Sequence, residues 1–192
     1  IIFSSDNGPV LNDGYYDDSD VKNGSHTPWG PYRGGKYSLF EAGTRVPFFT
    51  YWKGKIKPGV SDTMVSQLDL LSSLAQLVGS EVRTEDSLPL LELLMGQSNY
   101  GRKEMVIEAT SRTAFKRGDW VMIPPYEGFA VNDKVKIELG NDPEFQLYNL
   151  SNDVGQQNNL ALQNPKKLQE MLLAFEAIRG KDYRKTEKLE LK

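Results

Sequence analysis

Apolar positions in the first half of the chain come in short bursts between long polar stretches. Residues 1–5 (IIFSS) open on an apolar burst that reads as a buried strand. Residues 8–35 are rich in Gly, Pro, Asn and Asp and read as a long surface loop. Loops of that length are uncommon in compact domains and often functional. Residues 45–52 (RVPFFTYW) predict an aromatic-rich strand, irregular at Pro47, and residues 53–59 (KGKIKPG) a turn. In SDTMVSQLDLLSSLAQLVG, Met64, Val65, Leu68, Leu71, Ala75 and Val78 recur at helical spacing. Ser61 or Asp62 caps that helix and Gly79 stops it. Its single apolar stripe predicts packing on a sheet. A connector follows over residues 80–98, with a short helical piece at 90–95.

The second half has a different texture. Residues 104–109, 113–116, 120–123 and 145–150 predict short antiparallel strands, with Gly118-Asp119 as a hairpin turn. Asn164 and Pro165 start a final helix. Leu168, Met171, Leu172, Phe175 and Ile178 line its inner face, and Gly180 ends it. The charged tail, residues 181–192, is expected to fray. The expected organisation is therefore two pieces. Residues 1–98 read as the end of a larger α/β domain, and residues 99–192 as a small antiparallel sheet covered by a helix.

Composition removes several chemistries. The chain has 192 residues, no cysteine and one histidine, His26. Disulfides, thiolate metal sites and a cysteine nucleophile are excluded from it. The net charge of −3 gives no electrostatic reason to expect nucleic acid, and no apolar run reaches membrane-spanning length. No start methionine or signal segment precedes the first strand, so the chain reads as a fragment of a longer protein.

Three places carry candidate chemistry. Asp6 and Asn7 follow the first strand, where open α/β sheets place their ligands. A carboxylate and an amide oxygen suit a hard cation such as Ca²⁺ or Mg²⁺, although Asp-Asn-Gly is equally a turn sequence. In GPYRGGKYSLFEAGTR, residues 30–45, Gly34 and Gly35 allow close backbone approach and Lys36 follows at once. Lys36 reads as an anion contact or as an exposed lysine on a glycine turn. The P-loop spacing is not met. Glu41 and Arg45 read as a structural ion pair, and Asp69 as a structural hydrogen-bond acceptor. His26 is an inert surface histidine or an anion contact. The acid-rich DGYYDDSD lacks EF-hand spacing and reads as a solvated loop.

In order, these segments resemble the C-terminal portion of the type I sulfatases (arylsulfatases). The carriers are SSDNG, GPYRGGKYSLFEAGTRVPF, KIKPGVSD, VSQLDLLSSLAQLVG and the later FQLYNLSNDVGQQNNLA. The resemblance implies an alkaline-phosphatase-like α/β fold: a mixed sheet plus a small α+β C-terminal domain. It implies hydrolysis of sulfate esters through a formylglycine nucleophile made within a C/S-x-P-x-R motif. It makes Asp6 and Asn7 metal ligands, with calcium or magnesium as cofactor. It makes Lys36 the catalytic cation on the sulfate and leaving oxygen, and His26 a substrate contact. No C/S-x-P-x-R motif occurs here, so the nucleophile is expected in a missing N-terminal half, and the fragment alone is expected to be inactive. A sulfated carbohydrate substrate and a location outside the cytoplasm are implied. Two other readings stand beside this one. One is a phosphate or phosphonate ester hydrolase of the same superfold. The other is a glycan-binding module using Trp29, Tyr32, Trp120 and Tyr126.

Overall fold

The computed structural model describes residues 1–82 and 84–183. In chain order the elements are β1 (Ile2–Phe3), α1 (Ser19–Lys22), α2 (Glu41–Thr44), β2 (Phe49–Thr50), α3 (Asp69–Leu77), α4 (Leu91–Leu94), β3 (Glu104–Ala109), β4 (Arg112–Arg117), β5 (Trp120–Ile123), β6 (Val131–Asn132), β7 (Ile137–Glu138), β8 (Gln146–Asn149) and α5 (Pro165–Arg179). They form two compact units. One joins Ile1–Ser4 to Pro47–Lys103, and the other joins Ser5–Val46 to Glu104–Lys192. Compactness thus groups the chain differently from a single boundary after residue 98, because the segment around Leu39 and Phe40 packs with the later sheet.

In the first unit, β1 and β2 pair antiparallel, Ile2 opposite Thr50 and Phe3 opposite Phe49. The Phe3 and Phe49 rings stack with centroids 4.7 Å apart. The strand expected over residues 1–5 is two residues long and exposed: Phe3 is 52% accessible and Phe49 54%. The strand expected over residues 45–52 is likewise reduced to β2.

α3 begins at Asp69, well after the expected cap at Ser61 or Asp62. The reason lies in Asp69 itself. Its fully buried carboxylate accepts from Ser66 N at 2.9 Å and from Leu88 N at 2.9 Å. Arg102 grips it with two bonds, Nε to Oδ2 at 2.9 Å and Nη2 to Oδ1 at 2.7 Å. Residues 61–66 have no helical structure, and Met64 O there accepts from Arg102 N. The buried face of α3 is accordingly polar, made of Asp69, Ser72, Ser73 and Ala75. Residues 87–90 hang on that face: Ser72 Oγ donates to Ser87 O and Leu90 N donates to Ser73 Oγ. The expected apolar stripe is divided: Leu68, Leu71 and Val78 are exposed, whereas Ala75 is buried.

In the second unit, β3, β4, β5 and β8 form an antiparallel sheet in that order. The strands fall closely on the segments expected from the sequence. Successive residues alternate between faces. Phe115, Met122 and Leu147 face α5, where they meet Met171 and Phe175. Ala114, Val121, Ile123 and Tyr148 face the other way and pack with Leu39 and Phe40. The sheet is thus covered on both sides. Pro165 occupies the first turn of α5 as expected, although Asn164 makes no side-chain cap. Ile178, placed by sequence on the inner face, is exposed. Tyr183 is buried, its ring 5.2 Å from that of Phe175, so the expected fraying does not begin at residue 181. Residues 184–192 lie outside the described residues.

The Asp69–Arg102 pair gives a direct expectation. Removing one partner of a buried ion pair strands the other charge and costs roughly 3–5 kcal/mol. Asp69→Ala should lower unfolding free energy by that amount, as read by urea denaturation of the intact protein. A change within measurement error would show that the pair does not hold α3.

Candidate active site

A cleft of about 200 Å³ opens in the second unit, lined by residues that include Asp6, Asn7, Lys36, Tyr37, Thr44 and Glu108. The sequence candidates Asp6, Asn7 and Lys36 therefore meet, despite the long segment between them. Backbone contacts explain how. Gly8 N donates to Gly43 O at 2.8 Å, pressing the Asp6–Gly8 turn against α2. A Cβ on Gly8 would lie 1.7 Å from Ala42 O, so no side chain fits there. Lys36 N donates to Pro9 O at 2.9 Å, which brings the lysine beside the same turn. A Cβ on Gly35 would meet Pro9 O at 2.7 Å. Only glycines let the two backbone segments approach this closely.

The Asn7 amide nitrogen donates to Gly8 O at 2.9 Å, which directs its oxygen away from that bond. Ser5 Oγ donates to Asn7 O at 3.0 Å and fixes the turn. Asp6 is exposed and Asn7 half-buried. Carboxylate and amide oxygens are hard donors that fit calcium or magnesium. Among the described residues, no group of three or more His, Asp or Glu side chains is placed to hold a metal ion. Calcium takes about six to eight oxygens, so Asp6 and Asn7 fit as part of such a site rather than the whole of one.

Lys36 is not a solitary cation. Its Nζ lies 2.5 Å from Asp13 Oδ2, and Tyr37 Oη donates to Asp13 Oδ1 at 2.7 Å. The hydrogen bond to Asp13 raises the Lys36 ammonium above its ordinary range. Donation from Lys36, then from Tyr37, holds the Asp13 carboxyl below its own. Asp13 belongs to the acid-rich stretch expected to be solvated; it is instead turned inward onto the candidate lysine. Sequence reasoning missed it because no local spacing marks a residue whose partner lies 23 positions away.

The loop carrying Lys36 is anchored beyond it. Glu41, buried in α2, accepts from Lys116 Nζ on β4 with both oxygens at 2.8 Å and from Arg45 at 3.2 Å. Its backbone N–H donates to Gln156 Oε1 at 2.7 Å. Arg33 makes a two-bond pair with Glu138, at 2.8 and 2.7 Å, and donates to Gln156 O at 2.7 Å. The arginine holds the Glu138 carboxyl below the usual range. Gln156 lies in FQLYNLSNDVGQQNNLA, so that segment fastens the lysine loop.

The β3–β4 turn also reaches the cleft, through Ala109 and Thr110. Thr110 and Ser111 have φ of +49° and +63°. Both belong to the left-handed region that such hairpins usually fill with Asn-Gly, and a β-branched threonine there is strained. Lacking Asn-Gly, the turn gave no sequence signal. His26 is exposed; its N–H donates to Asn23 O, and it is not among the residues lining the cleft. Of the four aromatics considered for stacking, Tyr126 spends its hydroxyl on Thr113, and Trp120 packs against the α5 core.

The sulfatase family model matches residues 1–80. Over 183 residues the chain is 41% identical to N-acetylgalactosamine-6-O-sulfatase of Bacteroides thetaiotaomicron, covering 93% of this chain and 36% of that protein. The chain belongs to the sulfatase family. Arylsulfatase A of Bos taurus is 28% identical, over 92% of this chain and 38% of that one. A solved structure concerned with glycosaminoglycan metabolism in Bacteroides thetaiotaomicron superposes with a TM-score of 0.87 at 40% identity. It covers 93% of this chain and 38% of its own. A sulfatase from Pseudoalteromonas superposes at 0.73 with 21% identity, over 98% of this chain and 38% of its own, and supports the fold alone. The fold is the alkaline-phosphatase-like α/β fold of these enzymes, with a small α+β sheet-and-helix part. The chain spans under two fifths of the length of these relatives.

Close packing at the turn is testable. Gly8→Ala should destabilise the protein by roughly 1–3 kcal/mol or more, the usual effect of overpacking. Gly59→Ala, at a glycine with open space around it, should leave the thermal midpoint unchanged or raised. Equal midpoints for the two variants would contradict the contact with α2.

Proposed function

We propose that this chain supplies part of the active site of a sulfuric ester hydrolase acting on sulfated carbohydrate. The observation that carries the reading is the convergence of Asp6, Asn7 and Lys36 on one cleft in a sulfatase-family chain. Asp6 and Asn7 hold a calcium ion, with magnesium as the alternative, together with donors outside this sequence. When bound, that ion polarises the sulfate oxygens as a Lewis acid. The formylglycine nucleophile that the family uses has no place here, because the sequence contains neither cysteine nor a C/S-x-P-x-R motif.

Lys36 then has two tasks. Its ammonium contacts the bound sulfate, and it faces the bridging oxygen. Negative charge grows on that oxygen as the S–O bond breaks. A fixed cation there favours the transition state over the ground state. The pairing with Asp13 keeps Lys36 protonated well into the alkaline range. His26 serves as a contact for the part of the substrate that projects beyond the cleft.

The remaining sulfatase residues belong to an N-terminal half that completes the site. Exposed apolar side chains on the first unit, including Phe3, Phe49, Leu68 and Leu71, support a covering partner of that kind. On this reading residues 1–98 complete the catalytic domain and residues 99–192 form the small C-terminal domain. The protein works outside the cytoplasm, where sulfated glycans are met.

The name of the Bacteroides relative makes N-acetylgalactosamine 6-sulfate the first substrate to try. In the intact protein Lys36→Ala should lower its turnover by about 10²–10³-fold, the usual effect of losing one transition-state contact. The loss should be smaller with 4-nitrophenyl sulfate, since a phenolate leaves with less help. Calcium removal by chelation should abolish both activities, and the 192-residue chain alone should show neither. Undiminished turnover in Lys36→Ala, or faster cleavage of the matching phosphate ester, would overturn the reading.

A further inference from the structure

We propose that Asp13 is a positioning residue for Lys36: its carboxylate bridges the ammonium and the Tyr37 hydroxyl and holds the cation at the cleft in one orientation. The inference rests on the reading of Lys36 as the cation that meets the sulfate. It adds a residue that neither the motif nor the family resemblance singled out.

Three observations carry it. Both oxygens of Asp13 are used, one by each of two consecutive residues, at 2.5 Å from Lys36 Nζ and 2.7 Å from Tyr37 Oη. The two side chains reach the same carboxylate because Tyr37 adopts φ of +76°, a left-handed conformation that a tyrosine rarely takes. Such strain persists only where surrounding contacts hold it, and it gathers at functional sites. Third, the pair stands at the cleft itself, with Lys36 and Tyr37 among the lining residues and both Lys36 and Asp13 largely covered. An exposed ion pair between flexible side chains contributes little. This one is different in kind, since the carboxylate is fixed by a second donor before it fixes the lysine.

The physical consequence concerns a flexible side chain. A lysine carries its charge on a stem of four carbons and samples many rotamers. A transition-state contact requires the charge to be in place before the reaction, because reorganisation at that moment is lost rate. Asp13 supplies that restraint. It also favours the charged form of the lysine; Asp13 and Tyr37 are the groups nearest the ammonium, and Asp6 and Glu108 share the cleft.

The test compares Asp13→Asn, Asp13→Ala and Lys36→Ala with the parent, in the intact protein, using N-acetylgalactosamine 6-sulfate. Loss of the carboxylate should lower kcat by about 10- to 100-fold with a smaller change in KM, the scale of a misplaced catalytic group. It should move the alkaline limb of the kcat/KM profile to lower pH. Without Asp13 the ammonium loses the partner that raises its pKa, so the proton leaves earlier as pH rises. NMR of ¹³C,¹⁵N-lysine-labelled protein should show the same downward shift for Lys36 Nζ, independently of activity. Either Asp13 variant suffices if the other fails to fold. An unmoved limb and unmoved Nζ titration, with Lys36→Ala inactive, would overturn the positioning role and leave the site reading intact. Full activity in Lys36→Ala would overturn both.

Discussion

A carboxylate with almost no access to water, Glu41, decides where the lysine loop lies. A buried carboxylate without cations would be driven to protonate or to find partners. Lys116 on β4 meets both of its oxygens, and Arg45 adds a third contact from its own turn. The sheet therefore dictates the position of α2, and α2 dictates the position of the residues just before it. Leu39 and Phe40 complete the attachment by covering the sheet face opposite α5. Candidate catalytic geometry in this chain is thus a property of the small sheet. The glycines at 8 and 35 then bring the acid–amide turn to the same place.

Much of this was legible in the sequence. Short strand-forming segments between turns located all four strands of the sheet, and β4, β5 and β8 bury side chains on both faces. Asn-Pro and Gly180 bounded α5 closely, and the Glu41–Arg45 spacing forecast a real ion pair. The co-location of Asp6, Asn7 and Lys36 followed from the ordered resemblance to the sulfatases, never from any one motif. Their chemical roles rest on that family reading.

What remained illegible has physical causes. The apolar run at residues 1–3 suggested core, yet its side chains are exposed, since a strand pattern does not reveal what will cover it. The stripe before α3 had helical spacing, but Asp69 and Arg102 formed a buried pair that starts the helix at the aspartate. Propensity yields to such a tertiary contact. Asp13 and Lys36 are joined across a loop, where sequence distance carries no signal. The Thr110–Ser111 turn adopts a conformation its residues disfavour, so turn chemistry could not announce it.

The hydrogen bond from Lys36 N to Pro9 O closes residues 10–35 at their neck. A loop pinned in this way can change length cheaply: by chain-closure entropy, each doubling costs only about 0.6 kcal/mol. The mostly exposed stretch over residues 14–30 is therefore open to insertion and deletion without disturbing what lies at the base. Chain length there can drift between relatives while the neck, with Asp13 and Lys36 facing each other across it, keeps its place.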